Sequence, residues 1–499
     1  MMLTMRPSRS SSSLHLRALL ILNRTTWGPL PPVIVHIKMS YPSAYALCST
    51  TMAKATEPMT METKLDDTEL RVLTLNCWGL KFGSKDRVVR TRAIGDEIAA
   101  SNYDVVGLQE LQVQEDYDYI KAKLAYKLPY SKYFLSGALG AGLAIFSRFP
   151  IQSTSIHPFS FCGAPLDLTG GNWFGGKGVV STILDHPLLG EVEIFNTHLY
   201  AQGGESPSKL QLAHRLVGAH EFTRHTITSA SLGRHVLAVG DFNCISRNPA
   251  MQFIYTLTGL KDAWGSTHGS FIFPRVEGIH SPYHAVNDHG ATTDSPLNAY
   301  TRGKVLDENA RKFLGKRLDY ILFRPPRTRS SRYTHELRCR ESSIVFNRHI
   351  PGAEISFSDH FGVSATFECV PVNQNGREGR RPITPPRGTS YSPATRSEII
   401  EYAISTLGVT YAAARWEKHK KLVSFATLVV LLIILVTGSA WVPDLYFNPV
   451  LMLASAAIAW SGATLLYAAL LGGGWETRTL MRTMEELELM LQVEDKNAY

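Results

Sequence analysis

Six cysteines are spread through the 499 residues (Cys48, Cys77, Cys162, Cys244, Cys339 and Cys369), and none forms a C-x-x-C pair. That scatter argues against a Cys/His zinc site and a disulfide framework, and it fits a reducing, cytosol-facing compartment. No serine or cysteine stands in a recognisable nucleophile elbow. Acidic side chains are missing from positions 1–56, a stretch rich in serine and arginine (Arg6, Arg9, Arg17, Arg24) whose apolar run around Leu16–Leu22 is too short to span a bilayer. Residues 1–67 are therefore expected to be a disordered N-terminal extension. They are either a transit peptide of the mitochondrial kind or an upstream-start segment ahead of Met39, Met52 or Met59.

Charge is missing a second time near the C-terminus, where Asp444 alone interrupts the uncharged span between Lys421 and Glu476. A buried soluble helix rarely needs such length, so residues 422–442 and 449–471 are expected to be two transmembrane helices joined as a hairpin. A Pro-, Arg- and Gly-rich linker is expected over 371–395, followed by a juxtamembrane amphipathic helix over 396–421 with Ile399, Ile400, Ala403, Leu407 and Tyr411 on one side. A further amphipathic helix is expected over 476–493. Arg415, Lys418, Lys420 and Lys421 precede the first span, and Arg478 and Arg482 follow the second. The positive-inside rule then places both ends, and the large domain, on the cytosolic side; the membrane is expected to be that of the endoplasmic reticulum and/or mitochondria. Those basic residues are either a topology signal or a device that recruits anionic phospholipid, at about 1 kcal/mol per residue. The net charge of +8 sits mainly in the N-terminal stretch and the linker region. A nearly neutral middle counts against a nucleic-acid partner.

What is present lies between 68 and 370. Apolar strands at 69–80, 103–111, 140–151, 177–185, 190–200, 236–241, 315–323 and 354–368 are separated by helices at 86–101 and 208–230, which is α/β grammar. Residues 265–310, rich in Gly, His, Ser and Asn, read as a loop insertion near the active face. In VLAVGDFNCIS (236–246) the apolar run stops at Gly240 and releases Asp241 and Asn243 on one side, with Phe242 turned to the core. Other strand ends supply Asn76, Glu110, His198, Asp319, Asp359 and His360. Carboxylates, amides and imidazoles without a covalent nucleophile suit metal-assisted attack of water on a phosphodiester. Glu110 is a hard ligand for Mg²⁺, with Mn²⁺ as the alternative, and a histidine paired with a carboxylate can take the proton of the water.

The ordered motifs LNCWG, LQE, NTHL, GDFN, RLDYIL and SDH resemble the DNase I-like endonuclease/exonuclease/phosphatase superfamily over roughly residues 69–369. The resemblance implies a four-layered α/β sandwich, here followed by the transmembrane hairpin. It also implies Asn76 and Glu110 at the metal, supported by Asp359, and His360 as general base oriented by Asp319. Asp241, Asn243 and His198 would hold the phosphate and stabilise the transition state. The WFGGKG segment (173–178) and the double span are similar to the neutral sphingomyelinases and the fungal inositol phosphosphingolipid phospholipases C. That likeness implies cleavage of a sphingolipid phosphodiester to ceramide and a phosphorylated head group. A regulatory pair of Asp and Lys belongs to that loop in the family; here Lys177 is kept but the Asp position is Asn172, and Asp167 is a distant substitute. A nuclease of the same fold and an inactive lipid-binding scaffold are the competing expectations.

Overall fold

The computed structural model describes residues 66–164, 171–205, 207–269, 279–327, 334–372, 395–442 and 445–497. The expected extension up to Leu65, Asp167 and most of the expected linker lie outside the described residues. In chain order the strands are β1 (Glu69–Gly79), β2 (Val105–Leu111), β3 (Tyr130–Phe134), β4 (Leu143–Ser147), β5 (Ile151–Pro158) and β6 (Gly178–His186). They continue as β7 (Gly190–His198), β8 (His235–Asp241), β9 (Lys261–Asp262), β10 (Asp319–Arg324), β11 (His335–Val345) and β12 (Gly362–Pro371). The helices of the strand-rich region are α1 (Arg87–Ala100), α2 (Gln114–Leu124), α3 (Asn172–Gly175), α4 (Lys209–Ser231), α5 (Pro249–Thr258), α6 (Ala263–His268), α7 (Pro282–Asn287) and α8 (Glu308–Phe313). The C-terminal ones are α9 (Arg396–Gly438), α10 (Asn448–Tyr467) and α11 (Gly473–Asn497).

One sheet has the order β11-β12-β1-β2-β4-β3 and the other β5-β6-β7-β8-β10-β9. Successive side chains in a strand point to opposite faces, so apolar runs covered on both faces feed two cores at once. Val72 and Val105 face the space between the sheets with Ile194, Val239 and Ile321. Their neighbours Leu73 and Val106 face outward onto Ile94, Ile98 and Ile120 of α1 and α2. On the far side Phe195 and Ala238 meet Leu216, Phe222 and Phe253 of α4 and α5. Three cores make four layers, helix on sheet on sheet on helix. The span 140–151, expected as one strand, is two: β4 belongs to the first sheet and β5 to the second, with the crossing at Arg148–Pro150.

Amide side chains buried between the sheets set how they align. Gln109 Nε2 donates to Thr74 Oγ1 at 3.0 Å and to Asn196 Oδ1 of the opposite sheet at 2.8 Å. Asn196 Nδ2 donates back to the carbonyls of Leu108 and Ala144, at 2.9 and 3.0 Å. The backbones approach closely here: a Cβ added at Gly107 would sit 2.4 Å from Val239 Cγ2. Within each sheet one pair is parallel, β1 with β2 and β7 with β8, while β12 and β10 run antiparallel beside them. The final residues of the parallel strands therefore share one end of the sandwich with the first residues of β10 and β12.

The juxtamembrane segment and the first apolar run form a single helix, α9, 43 residues long and started by a capping box of Thr395 and Glu398. Ile399, Ile400, Ala403 and Leu407 enter the same core as α4 and α5, joined by Leu480 and Leu487 of α11. Only a π-helical turn, Ala468–Gly472, separates α10 from α11. Two helical stretches, Arg396–Trp441 and Asn448–Val493, are long and apolar enough to cross a membrane. Where α11 begins, Trp475 Nε1 donates to the carbonyl of Ser160 at 2.6 Å, and further along Glu486 meets His220 at 2.7 Å.

Replacing Asn196 by Leu removes one acceptor from Gln109 Nε2, which keeps Thr74, and takes the side-chain donor from the buried Leu108 and Ala144 carbonyls, an expected loss of about 3 kcal/mol. Denaturant unfolding of the full chain in detergent, followed by near-ultraviolet circular dichroism, should show the lower midpoint. An unchanged midpoint would mean that this network does not hold the sheets together.

Candidate active site

Asp241, the last residue of β8, is the hub. The β10 register places Asp319 opposite it and the β7 register places His198 beside it. Asp241 is buried, and its Oδ2 accepts from Asn76 Nδ2 at 3.0 Å and lies 3.4 Å from His198 Nε2 and 4.0 Å from His360 Nε2. Its Oδ1 accepts the backbone N–H of Asn243 at 2.8 Å, an Asx turn that fixes the chain leaving the strand. Phe242 between them is fully buried, as the alternation predicts. Asn243 lies in the left-handed region (φ 49°) and donates from Nδ2 to the carbonyl of Leu199 at 3.0 Å.

Glu110 approaches from β2, also at positive φ (56°). Such backbone strain persists only where the surroundings over-determine it. Asn76 Nδ2 reaches Glu110 Oε1 at 3.3 Å, so one amide bridges the carboxylates of both sheets. His198 Nε2 is 3.7 Å from the same oxygen. Lys177 Nζ lies 2.8 Å from His198 Nε2 and donates to the Leu199 carbonyl at 3.1 Å. Burial and then Lys177 push the His198 pKa well below the ordinary value, so the ring stays neutral. Asn172 is buried and its Oδ1 accepts from the Ala201 N–H at 3.3 Å.

His360 lies in the loop before β12 rather than within a strand. Its Nδ1 pairs with Asp319 Oδ2 at 2.9 Å, which turns Nε2 toward Asp241. Burial lowers its pKa, but Asp319 and Asp241 outweigh that and hold it well above the usual imidazole range. Asp359 is paired with Lys304 at 3.2 Å. Its charge still reaches Glu110, whose pKa is raised first by burial and then by Asp359. Burial and then Asp319 push Asp241 up to about 6.

Several partners had no signal in the sequence. Arg90, buried on α1, donates to the carbonyls of Cys77, Trp78 and Phe357 at 2.7, 2.7 and 3.2 Å, tying the Asn76 and His360 loops together. Ser358 Oγ donates to the Asn76 carbonyl at 2.6 Å. The expected loop insertion does reach the active face: Thr292 accepts the Phe361 N–H, Thr293 forms a β-bridge with His360, and Asn298 Nδ2 donates to the Ser358 carbonyl at 2.9 Å.

Among the described residues, Glu110 Oε2 and Asp319 Oδ1 are buried carboxylate oxygens without a hydrogen-bond partner. Asp241, Asp319 and His360 also offer ligand atoms within 4.8 Å of one another. Buried carboxylates with unmet lone pairs are stabilised by a hard cation, and the raised pKa values of Glu110 and Asp241 point the same way, so the donor set fits a divalent metal ion.

Residues 73–360 match the sequence profile of the Endonuclease/Exonuclease/phosphatase family. The chain is 33% identical over 439 residues to the inositol phosphosphingolipids phospholipase C of Schizosaccharomyces pombe, covering 84% of this chain and 94% of that protein. It is 30% identical over 357 residues to sphingomyelin phosphodiesterase 2 of Homo sapiens, covering 70% of this chain and 74% of that one. Among solved structures, a beta toxin of Staphylococcus aureus superimposes with a TM-score of 0.43 and 18% identity, over 59% of this chain and 99% of that one. The strand-end cluster agrees with the profile match and with the two sequence relatives: the chain belongs to the endonuclease/exonuclease/phosphatase family.

Proposed function

We propose that the protein is a membrane-anchored, Mg²⁺-dependent sphingolipid phosphodiesterase of the phospholipase C type. The observation that carries the chemistry is the convergence of Asn76, His198 and His360 on Asp241, with Glu110 alongside. The lipid substrate is supported by the names of the relatives, whose substrates are sphingolipids, and by the anchor. Trp475, near the start of α11 where the second uncharged run ends, donates to the Ser160 carbonyl, the adjacent Phe159 N–H binds the Lys177 carbonyl at 2.9 Å, and Lys177 touches His198. A site tied this closely to a spanning helix acts on substrates in the bilayer.

Glu110, beside Asn76 and within the field of Asp359, would hold the metal. Bound Mg²⁺ neutralises phosphoryl-oxygen charge and weakens the acidic field that keeps His360 protonated. The residues divide the remaining work. His360 Nε2, oriented through Nδ1 by Asp319, takes a proton from the attacking water. The water oxygen bonds to phosphorus as the bond from phosphorus to the ceramide oxygen breaks, and the departing alkoxide takes a proton from solvent to give ceramide. Asn243, His198 and Lys177, gathered beside Asp241, would face the phosphoryl group, and Asp241, which accepts from the Asn243 N–H and from Asn76, would hold those two in place rather than grip phosphate itself. The pair Lys177 and Asn172 forms the regulatory loop of the family pattern, with an amide in place of the acid. The catalytic domain faces the cytosol on endoplasmic reticulum or mitochondrial membranes, and Arg415, Lys418, Lys420 and Lys421 draw anionic phospholipid to it.

Release of labelled head group from sphingomyelin and inositol phosphoceramide tests this reading. His360→Asn and Glu110→Gln should each lower turnover by about 10²–10⁴-fold without unfolding the chain, and intact substrate with the unsubstituted enzyme would refute it. Chelator should abolish turnover and Mg²⁺ restore it; activity that persists through chelation would remove the metal from the account. Adding phosphatidylserine to the vesicles should raise the rate, and replacing the four basic residues with Gln should erase that gain. An equal gain in the substituted protein would leave them as a topology signal.

A further inference from the structure

Three exposed apolar side chains stand on one rim of the site. Leu135 and Leu139, between β3 and β4, are 74% and 51% exposed, and Trp173, in α3, is 45% exposed. The two segments that carry them are clasped. The N–H groups of Ala138 and Leu139 both donate to the Phe174 carbonyl, at 3.0 and 2.9 Å, and Ser136 Oγ donates to the Gly176 carbonyl at 2.8 Å. Gly137 and Gly176 both adopt positive φ (63° and 57°), and a Cβ on Gly137 would meet Gly176 N at 2.6 Å. No side chain fits in that contact, and three hydrogen bonds tie the two segments together.

The base of the clasp is the active site. Leu111 N–H donates to the Gly142 carbonyl at 2.9 Å, a Cβ on Gly142 would lie 2.9 Å from Glu110 Cα, and Lys177 closes the second segment against His198. Apolar side chains gathered beside a polar cleft mark a surface that another phase or partner covers.

The anchor identifies the occupant. Trp475 ends the second apolar span, just before Glu476 and Arg478, at the position where tryptophan sits in the membrane interface. It holds the Ser160 carbonyl, and three residues further on a Cβ at Gly163 would lie 3.1 Å from Trp173 N. The interfacial end of the span and the apolar rim are thus joined through one short loop.

We propose that the clasped rim of Leu135, Leu139 and Trp173 enters the head-group and upper acyl region of the bilayer. It is a second membrane contact, separate from the spanning helices, and it seats the mouth of the site over a lipid phosphodiester. The inference rests on the lipid-hydrolase reading for its purpose, and on the rim and the anchor for its geometry.

The full chain is labelled with an environment-sensitive fluorophore at Leu139→Cys and reconstituted in phosphatidylcholine vesicles, with the unsubstituted chain labelled in parallel as background. Tyr126→Cys, after α2 at the opposite end of β2, is the reference. The probe at 139 should emit to the blue of the probe at 126 and be quenched by lipids spin-labelled near the head group. A probe at 139 as water-exposed as that at 126 would overturn the proposal, as would one shielded equally in detergent and cross-linking between copies, which would make the rim a contact between chains. The Leu139→Ser/Trp173→Ser variant should lower the ratio of turnover on vesicle-borne to monomeric short-chain substrate by about ten-fold. An unchanged ratio counts against the rim. Absence of turnover on both substrates with the unsubstituted chain would refute the lipid-hydrolase reading, leaving the fluorescence to decide the membrane contact.

Discussion

Asn196 reaches across the gap between the two sheets, giving its amide hydrogens to the Leu108 and Ala144 carbonyls and taking one from Gln109. In the dry space between packed sheets each of these groups would cost free energy if left unmade, so only one sliding position of sheet on sheet satisfies them all. That position fixes the chemistry. Gln109 stands next to Glu110, and Asn196 two residues before His198, so the alignment that pairs the amides also brings Glu110 and Asn76 of one sheet against His198 and Asp241 of the other. The parallel pairs then direct these residues to one end, and the antiparallel neighbours β10 and β12 bring Asp319 and His360 to meet them.

Such convergence creates an electrostatic difficulty that the site uses. Asp241, Asp319 and Glu110 are withdrawn from water, and burial pushes Glu110 and Asp241 upward toward neutrality. Lys177, His360 and the amide of Asn76 offset part of the negative charge from within the chain. Two carboxylate oxygens still lack partners among the described residues. In the proposed mechanism a divalent cation would balance what those groups leave over and, by weakening the field of Asp319 and Asp241, would free His360 to accept a proton.

Much of this was legible in the sequence because short polar motifs stand where apolar runs begin or end: Asn76, Glu110, His198 and Asp241 close such runs, while Asp319 and His360 precede them. The inter-sheet amides were not legible: Asn196 inside an apolar strand reads as a polar interruption, and its partners are some fifty to ninety residues away along the chain. The crossing between β4 and β5 was read as one strand because Phe149 and Ile151 keep the apolar pattern while the chain changes sheets. Lys304 beside Asp359 and Arg90 under the His360 loop arise from tertiary proximity alone. The boundary at Lys421 marks a change of composition and not of backbone, since neither glycine nor proline stands there to stop α9.

The C-terminal helices are packed against the phosphodiesterase fold. Ile400, Leu407, Leu480 and Leu487 share a core with Phe222 and Phe253, so the two long apolar helical stretches continue directly from the layer that backs β7 and β8. The central claim is that this assembly directs water to phosphorus with the ceramide oxygen leaving. The most direct measurement is mass spectrometry of products formed in oxygen-18 water: the account predicts one heavy oxygen in the phosphorylated head group and none in ceramide. Label in ceramide, or release of an unphosphorylated head group with ceramide phosphate, would contradict it.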